Sequence, residues 1–281
     1  MDLLDPNGYG YLPEQYHRSH DMCEFLVGQL EAFLTEEPYR GLRHFEVDIN
    51  PEAVPIDDEY TLDYLLRADM KDKHDELVRL HTVYGLLSDS CYFLREALDA
   101  SMKRRLTVSF ALLRKPFIYN MPVLLRLYLD EEFLEHFNNR EDFDASKLPK
   151  QDLLDLIEAS LPMLFSMQDM SRGEIYDILF NKEEHGSLIN WSNKALHPAT
   201  THHWASLTGA KNLNFMFSTL DDIDKQWEYF YRRLPFLLTY LLECTEQIVF
   251  DLLQLNPALY TERLEERAAF FISQGKGGQN A

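Results

Sequence analysis

Lys103, Arg104, Arg105, Arg114, Lys115 and Arg126 lie in one stretch, residues 100–129, that contains no acidic residue. All 47 acidic side chains of the chain lie outside it, and the chain as a whole carries a formal charge of −20. Guanidinium and ammonium groups interleaved with Val108, Phe110, Ala111 and Leu112 are costly to bury unless an anion faces them. Two sources of that anion stay open. One is internal: carboxylates such as Asp221, Asp222, Asp224 or Glu228 on a second long helix. The other is a ligand bearing phosphate, a nucleotide or an RNA strand, because clustered arginines match phosphate geometry. Lys103 and Arg114 are eleven residues apart, as are Arg104 and Lys115. Eleven residues make about three helical turns, so an unbroken helix would set each pair on one face.

A second group of candidate residues lies in INWSNKALHPATTHHWASL. His197, His202 and His203 stand between Trp191 and Trp204, just after Asn193 and Lys194. Such histidines suit acid/base work or donation to a phosphate. We therefore take His197, His202 and His203 as the catalytic candidates. Asn193 and Lys194 join Lys103, Arg104, Arg105, Arg114 and Lys115 as ligand-binding candidates. Glu183, Glu184 and His185 are near, but the H-x4-H-H spacing matches no helix-borne zinc motif, so no metal site is expected. Glu14 and His17, with Asp21 and Glu24 on the same predicted face, have the spacing of a di-iron helix. Such bundles need a second motif of that kind on another helix, and the chain has none. GxGxxG, Walker-type, GxSxG and HExxH motifs are also missing, and nothing in the sequence indicates a cofactor.

The elements that must position these residues read as helices. Cys23, Leu26, Leu30, Phe33 and Leu34 recur at helical spacing between Pro13 and Pro38, and Leu77, Leu80, Tyr84, Leu87, Cys91, Leu94 and Leu98 do so from about Asp72. That second helix is expected to pass Ser101, continue or restart through 104–115, and break at Pro116. Further helices are expected over 122–137, 153–167 with Pro162 bending or ending it, 172–180, and 258–272. DDIDKQWEYFYRRLPFLLTYLLECTEQIVFDLLQL reads as one long helix kinked or split at Pro235. HFEVDI is taken as a connector, Ser146 or Asp152 as a helix cap, and 181–210 as an irregular loop packed over the bundle. The predicted fold is all-α: a helical bundle built on two long helices, with residues 1–274 as one domain and 275–281 as a mobile tail.

Composition sets the remaining bounds. Hydrophobic content of 46% and aromatic content of 13% are those of a packed domain. The three cysteines have no ligand spacing and read as reduced core thiols of a cytoplasmic protein. MDLLDPNGYGYLPEQ lacks the form of a signal peptide. Glu243, Glu246 and Asp251 interrupt the most apolar window, Leu234–Leu255, so no membrane partner is expected.

LREALDASMKRRLTVSFALLRKPFIYN, followed by IYDILFN and NKALHPATTH, resembles a group of bacterial all-helical proteins at the periphery of the HEPN superfamily. That superfamily includes defence-associated and toxin ribonucleases, and the likeness covers about residues 77–220. The resemblance implies an all-helical protein acting on or binding RNA or a nucleotide in a defence or stress context. Arg67 followed by His74 after six residues matches the family's arginine-to-histidine spacing at its longest. It stands before the first long helix, whereas the family's pattern sits late in its bundle. The alternative is a non-catalytic interaction protein, a homodimer, with its basic residues paired internally.

Overall fold

The computed structural model describes residues 8–47, 58–201, 204, 207–216 and 218–276. Eleven α-helices account for the architecture, and no strand occurs among the described residues. They are α1 (His17–Thr35), α2 (Thr61–Arg67), α3 (Lys71–Met102), α4 (Leu106–Arg114), α5 (Met121–Leu129), α6 (Phe133–Asn139), α7 (Lys150–Ser160), α8 (Arg172–Leu179), α9 (Leu188–Leu196), α10 (Leu220–Leu252) and α11 (Pro257–Lys276). No helix is long and apolar enough to cross a membrane among the described residues. The expected connector HFEVDI has no regular structure as far as Val47, and its remainder lies outside the described residues. Residues 277–281 of the expected tail lie outside them too, while Gly275 and Lys276 belong to α11.

The two long helices, α3 and α10, do not form a spine by lying along one another. α10 packs mainly against α1, while α3 packs against both α4 and α1. Cys23, Leu26, Val27, Leu30 and Phe33 of α1 are buried between Val83, Leu87 and Leu94 of α3 and Leu234, Leu238 and Leu241 of α10. At Ser101 the long helices meet directly. Its carbonyl accepts from Trp227 Nε1 at 3.0 Å and its hydroxyl lies 2.5 Å from Tyr231 Oη. One contiguous core runs from Leu12 to Val249. Cys23, Cys91 and Cys244 are buried free thiols within it, and burial pushes Cys91 up to about 12.

The turn after α3 decides how the basic stretch is arranged. Arg105 N donates to Ala100 O at 2.9 Å and Arg104 N to Ser101 O at 3.1 Å, the paired bonds of a Schellman ending. Its left-handed position is Arg104, at φ 58°. Glycine is usual there. Arg104 instead spreads its guanidinium over Tyr11 at 4.8 Å and Trp227 at 5.9 Å from the ring centroids. Because α3 stops here and α4 starts in a new direction, the eleven-residue pairing of Lys103 with Arg114, and of Arg104 with Lys115, does not set either pair on one face. α2 and α10 end in the same way, with Asp69 and Gln254 at positive φ.

Pro116 does not break the chain's helical course. It lies in a turn of π-helix, Lys115–Asn120, that joins α4 to α5 without interruption. The wider turn closes with Met121 N donating to Pro116 O, an i→i+5 bond. Pro235 likewise sits inside an unbroken α10. The 122–137 segment is two helices, α5 and α6, and the segment 181–210 contains a helix, α9, started by Ser187. Neither Ser146 nor Asp152 caps α7; its N-cap is Pro149.

A buried carboxylate fixes the strand of chain between α7 and α8. Glu243 is enclosed and accepts from Phe165 N at 2.9 Å and Ser166 N at 3.0 Å. In Glu243→Gln the amide turns a donor toward one of those two donors. Charged hydrogen bonds of this kind contribute about 1.5–3 kcal/mol, and the variant's urea midpoint should fall by an equivalent amount with an unchanged m-value.

Candidate functional site

The six basic residues of the acid-free stretch go to separate environments. Lys103 pairs with Asp99 at 2.6 Å and Lys115 with Asp89 at 3.3 Å. Both carboxylates come from α3, and Asp221, Asp222, Asp224 and Glu228 pair with none of the six. Arg104 is held by aromatic faces, and Arg105 is exposed with no ion pair among the described residues. Arg126 is buried, with Nη1 donating to Ala145 O at 2.8 Å, Asp130 at 3.7 Å and the adjoining Phe133 and Phe143 rings 5.2 Å and 4.8 Å from its guanidinium carbon.

Arg114 differs from the rest. Its Nε donates to Tyr119 Oη at 2.8 Å and its Nη1 to Asn193 Oδ1 at 2.5 Å. Both acceptors are neutral, so the positive charge is held in place but not cancelled. No carboxylate lies within ion-pair distance among the described residues, and Nη2 has no partner there. The local sequence explains the geometry. The π turn inserts one extra residue, so the side chain beneath Arg114 is the one five positions on, Tyr119. Asn193 arrives from α9, which is pinned by stacking of Trp191 on Tyr229 at 4.3 Å and by a tilted contact of Trp191 with Phe110 at 5.0 Å between centroids.

Arg114 opens onto a cleft of about 470 Å³, within the size range of small-molecule sites. Lys147, Lys150 and Lys182 also line it, and none has an ion pair among the described residues. Lys150 Nζ lies 5.0 Å from the centre of the Tyr176 ring. The one lining carboxylate, Glu183, accepts from the Trp204 indole N–H. Apolar side chains, Ile118, Leu148, Leu153 and Ile189, make up much of the remaining wall. Burial, with the nearby Asp177 carboxylate, raises the Tyr176 phenol above its ordinary pKa.

Two devices deliver the lysines. Arg126 grips Ala145 O, two residues before Lys147, and Asp144 accepts from Ser146 N at 3.0 Å and Ser146 Oγ at 2.8 Å. Those bonds lower the Asp144 pKa and keep it an anion. Asn190, fully buried on α9, donates to Lys182 O at 2.9 Å and Glu184 O at 2.7 Å, which ties down the turn carrying Lys182.

The structure thus brings Arg114 and Asn193 together and places Lys103, Arg104 and Arg105 at the opposite end of α4. Lys194 lies in a different hollow of about 340 Å³ with Lys225 and Asn214. It is half-buried near Trp191, and burial lowers its pKa. His197 caps the end of α9, exposed and outside the Arg114 cleft. His202 and His203 lie outside the described residues.

Three lysines of the cleft escape sequence reading because each comes from a different-looking context. Lys147 belongs to a polar connector, Lys150 to the first position of α7 and Lys182 to a turn. Lys-x-Pro-Lys at the start of a helix is the only local signal.

Comparison of the chain with family models, with curated proteins and with solved structures finds no match. The site must therefore be read from its own chemistry. His17 Nε2 lies 2.9 Å from Leu12 O, Asp21 accepts from Tyr9 Oη, and Glu24 binds Arg95, so the Glu14–His17 face is engaged in internal contacts. No three His, Cys, Asp or Glu side chains converge as metal ligands among the described residues. Arg67 pairs with Glu59 at 2.7 Å, and His74 Nδ1 lies 2.8 Å from Asp75.

Proposed function

We propose that this chain binds a phosphate-bearing ligand, of the nucleotide or RNA class, in the cleft onto which Arg114 opens. The observation that carries the reading is charge. Four cations converge there from α4, the connector before α7, the first residue of α7 and the turn after α8, with no ion pair among the described residues, in a chain of net charge −20. A protein with such an excess of carboxylates can neutralise its cations internally, as Asp99 and Asp89 do for Lys103 and Lys115. Leaving four unpaired in one concavity is what an anionic ligand requires. The resemblance to the HEPN periphery supports the same ligand class from the sequence side, with a defence or stress role as its corollary. The reading is one of binding and assigns no reaction.

Calorimetric titration with a nucleotide at two salt concentrations tests it. Arg114→Ala/Lys150→Ala should bind about tenfold more weakly or worse, the equivalent of about 1.4 kcal/mol or more. Arg104→Ala, whose guanidinium is stacked on Tyr11 and Trp227, should bind as the wild type does. Equal non-binding by all three proteins removes the reading.

The alternative, a non-catalytic homodimer, is supported by exposed apolar side chains at Val108, Leu207, Met216 and Leu220. Sedimentation equilibrium distinguishes it: a monomer over the micromolar range eliminates the dimer.

A further inference from the structure

We infer that the cleft selects a small phosphate monoester, one with a compact apolar or planar group, and rejects a polynucleotide. This inference rests on the phosphate reading above and narrows it. Its basis is the arrangement of charge around the four cations.

Every segment that supplies a lysine to the cleft also carries an exposed carboxylate close by. Asp144 stands three residues before Lys147, Asp152 two residues after Lys150, and Glu184 two residues after Lys182; Asp177 follows the lining Tyr176. Three of these are held by hydrogen bonds. Asp144 accepts from Ser146, Asp177 Oδ1 accepts from Asn181 Nδ2 at 2.7 Å, and Glu184 Oε1 accepts from Gly186 N at 3.3 Å. Each lysine of the cleft is thus accompanied along the chain by exposed negative charge, and one carboxylate, Glu183, lies in the lining itself.

A nucleic-acid strand needs a basic stripe, because it carries one charge for about every 3.4 Å of its length. Phosphates flanking the one inside the cleft would meet Asp144, Asp177 and Glu184 in the field of a −20 protein. A terminal monoester has no flanking phosphates. Its two charges are met by Arg114, held in place by Tyr119 and Asn193 and with Nη2 left to donate, and by three ammonium groups. The rest of such a ligand has somewhere to go: the wall of Ile118, Leu148, Leu153 and Ile189 beside Tyr119. Inorganic phosphate would leave that wall wet, so the organic group adds affinity.

The test titrates the full chain with three probes: uridine 5′-monophosphate, inorganic phosphate, and a twelve-residue oligouridylate with hydroxyl groups at both ends. The monophosphate is expected to bind at least about tenfold more tightly than either other probe, and Arg114→Ala should abolish the difference. In Asp177→Asn/Glu184→Gln the oligonucleotide should gain affinity while the monophosphate changes by less than about threefold. An oligonucleotide that binds as tightly as the monophosphate, and loses that binding in Arg114→Ala, overturns the selection and leaves the phosphate reading standing. Inorganic phosphate binding as tightly as the monophosphate overturns the role of the apolar wall. Failure of all three probes overturns the phosphate reading itself.

Discussion

Glu246→Ala is expected to lower the stability of the folded chain by about 3–5 kcal/mol, the largest effect of any single carboxylate in the molecule. Glu246 is fully buried on α10, and two guanidinium groups of α11 close on it. Arg263 Nε donates at 2.7 Å, Arg267 Nη1 at 2.6 Å and Arg267 Nη2 at 2.7 Å. Arg263 is further fixed by Gln29 O at 2.8 Å and by the Phe33 ring, 4.3 Å from its guanidinium carbon. Removing the carboxylate leaves both cations buried, side by side and without a counter-charge. Their repulsion adds to the desolvation each has already suffered.

The expected outcome is more than a general loss. α11 meets the rest of the protein largely through this cluster, Gln29 Nε2 donating to Glu266 at 3.0 Å, and the stacking of Phe25 on Phe270 at 4.2 Å. Hydrogen exchange should therefore accelerate first in α11, before the midpoint of global unfolding by urea shifts in full. A compensated variant separates charge from packing. Glu246→Leu/Arg263→Met/Arg267→Met removes all three charges at similar volume and should recover most of the loss. Equal destabilisation of the single and triple variants would show that shape, and not unpaired charge, is what the cluster supplies.

Helices are legible in this sequence wherever apolar residues recur at helical spacing and core burial follows. Leu77, Leu80, Leu87, Cys91, Leu94 and Leu98 are all buried, as the pattern requires. The misreadings fall where local chemistry departs from the usual signals. The left-handed residue that follows α3 is Arg104, not a glycine, and aromatic rings that take up its guanidinium offset the left-handed backbone. Pro116 reads as a breaker, yet a π turn absorbs it. α9 is hidden in a polar, tryptophan-bearing segment because its burial depends on Phe110 and Tyr229, which are remote in sequence. The acid-free stretch is visible at once as an anomaly. That Arg114 faces the cleft while Lys103, Arg104 and Arg105 lie at the other end of α4 is decided by the direction of α4, which no spacing rule supplies.

The second large effect is a dependence on pH, and it comes from His20. This imidazole is 4% exposed, between α1, α3 and α10, with Nδ1 3.0 Å from Tyr231 Oη. Tyr231 Oη in turn lies 2.5 Å from Ser101 Oγ. Burial is the main reason its pKa falls to about 4; the nearby Asp21 carboxylate opposes the fall, while His17 and Arg95 add to it. In the unfolded chain an imidazole takes up its proton near pH 6.5. The native state resists that proton down to about pH 4. Below pH 6.5 the unfolded chain therefore binds more protons than the native one, and stability falls as the pH falls.

The full contribution is present above pH 6.5 and is lost progressively toward pH 4, amounting to about 3 kcal/mol. Protonation also turns Nδ1 from an acceptor into a donor, so the Tyr231 hydroxyl would have to turn its proton away, toward Ser101. His20→Asn tests this, since Asn Oδ1 keeps an acceptor near the same place and does not titrate. Carboxylates elsewhere lose their own stabilising contacts in acid, so the informative quantity is the difference between the two proteins. The wild type should lose about 3 kcal/mol more than His20→Asn between pH 7 and pH 4, with the divergence beginning near pH 6.5. Parallel stability curves through that range would mean that His20 is protonated in the native core, with Tyr231 accepting from it and the Asp21 and Glu24 carboxylates balancing its charge.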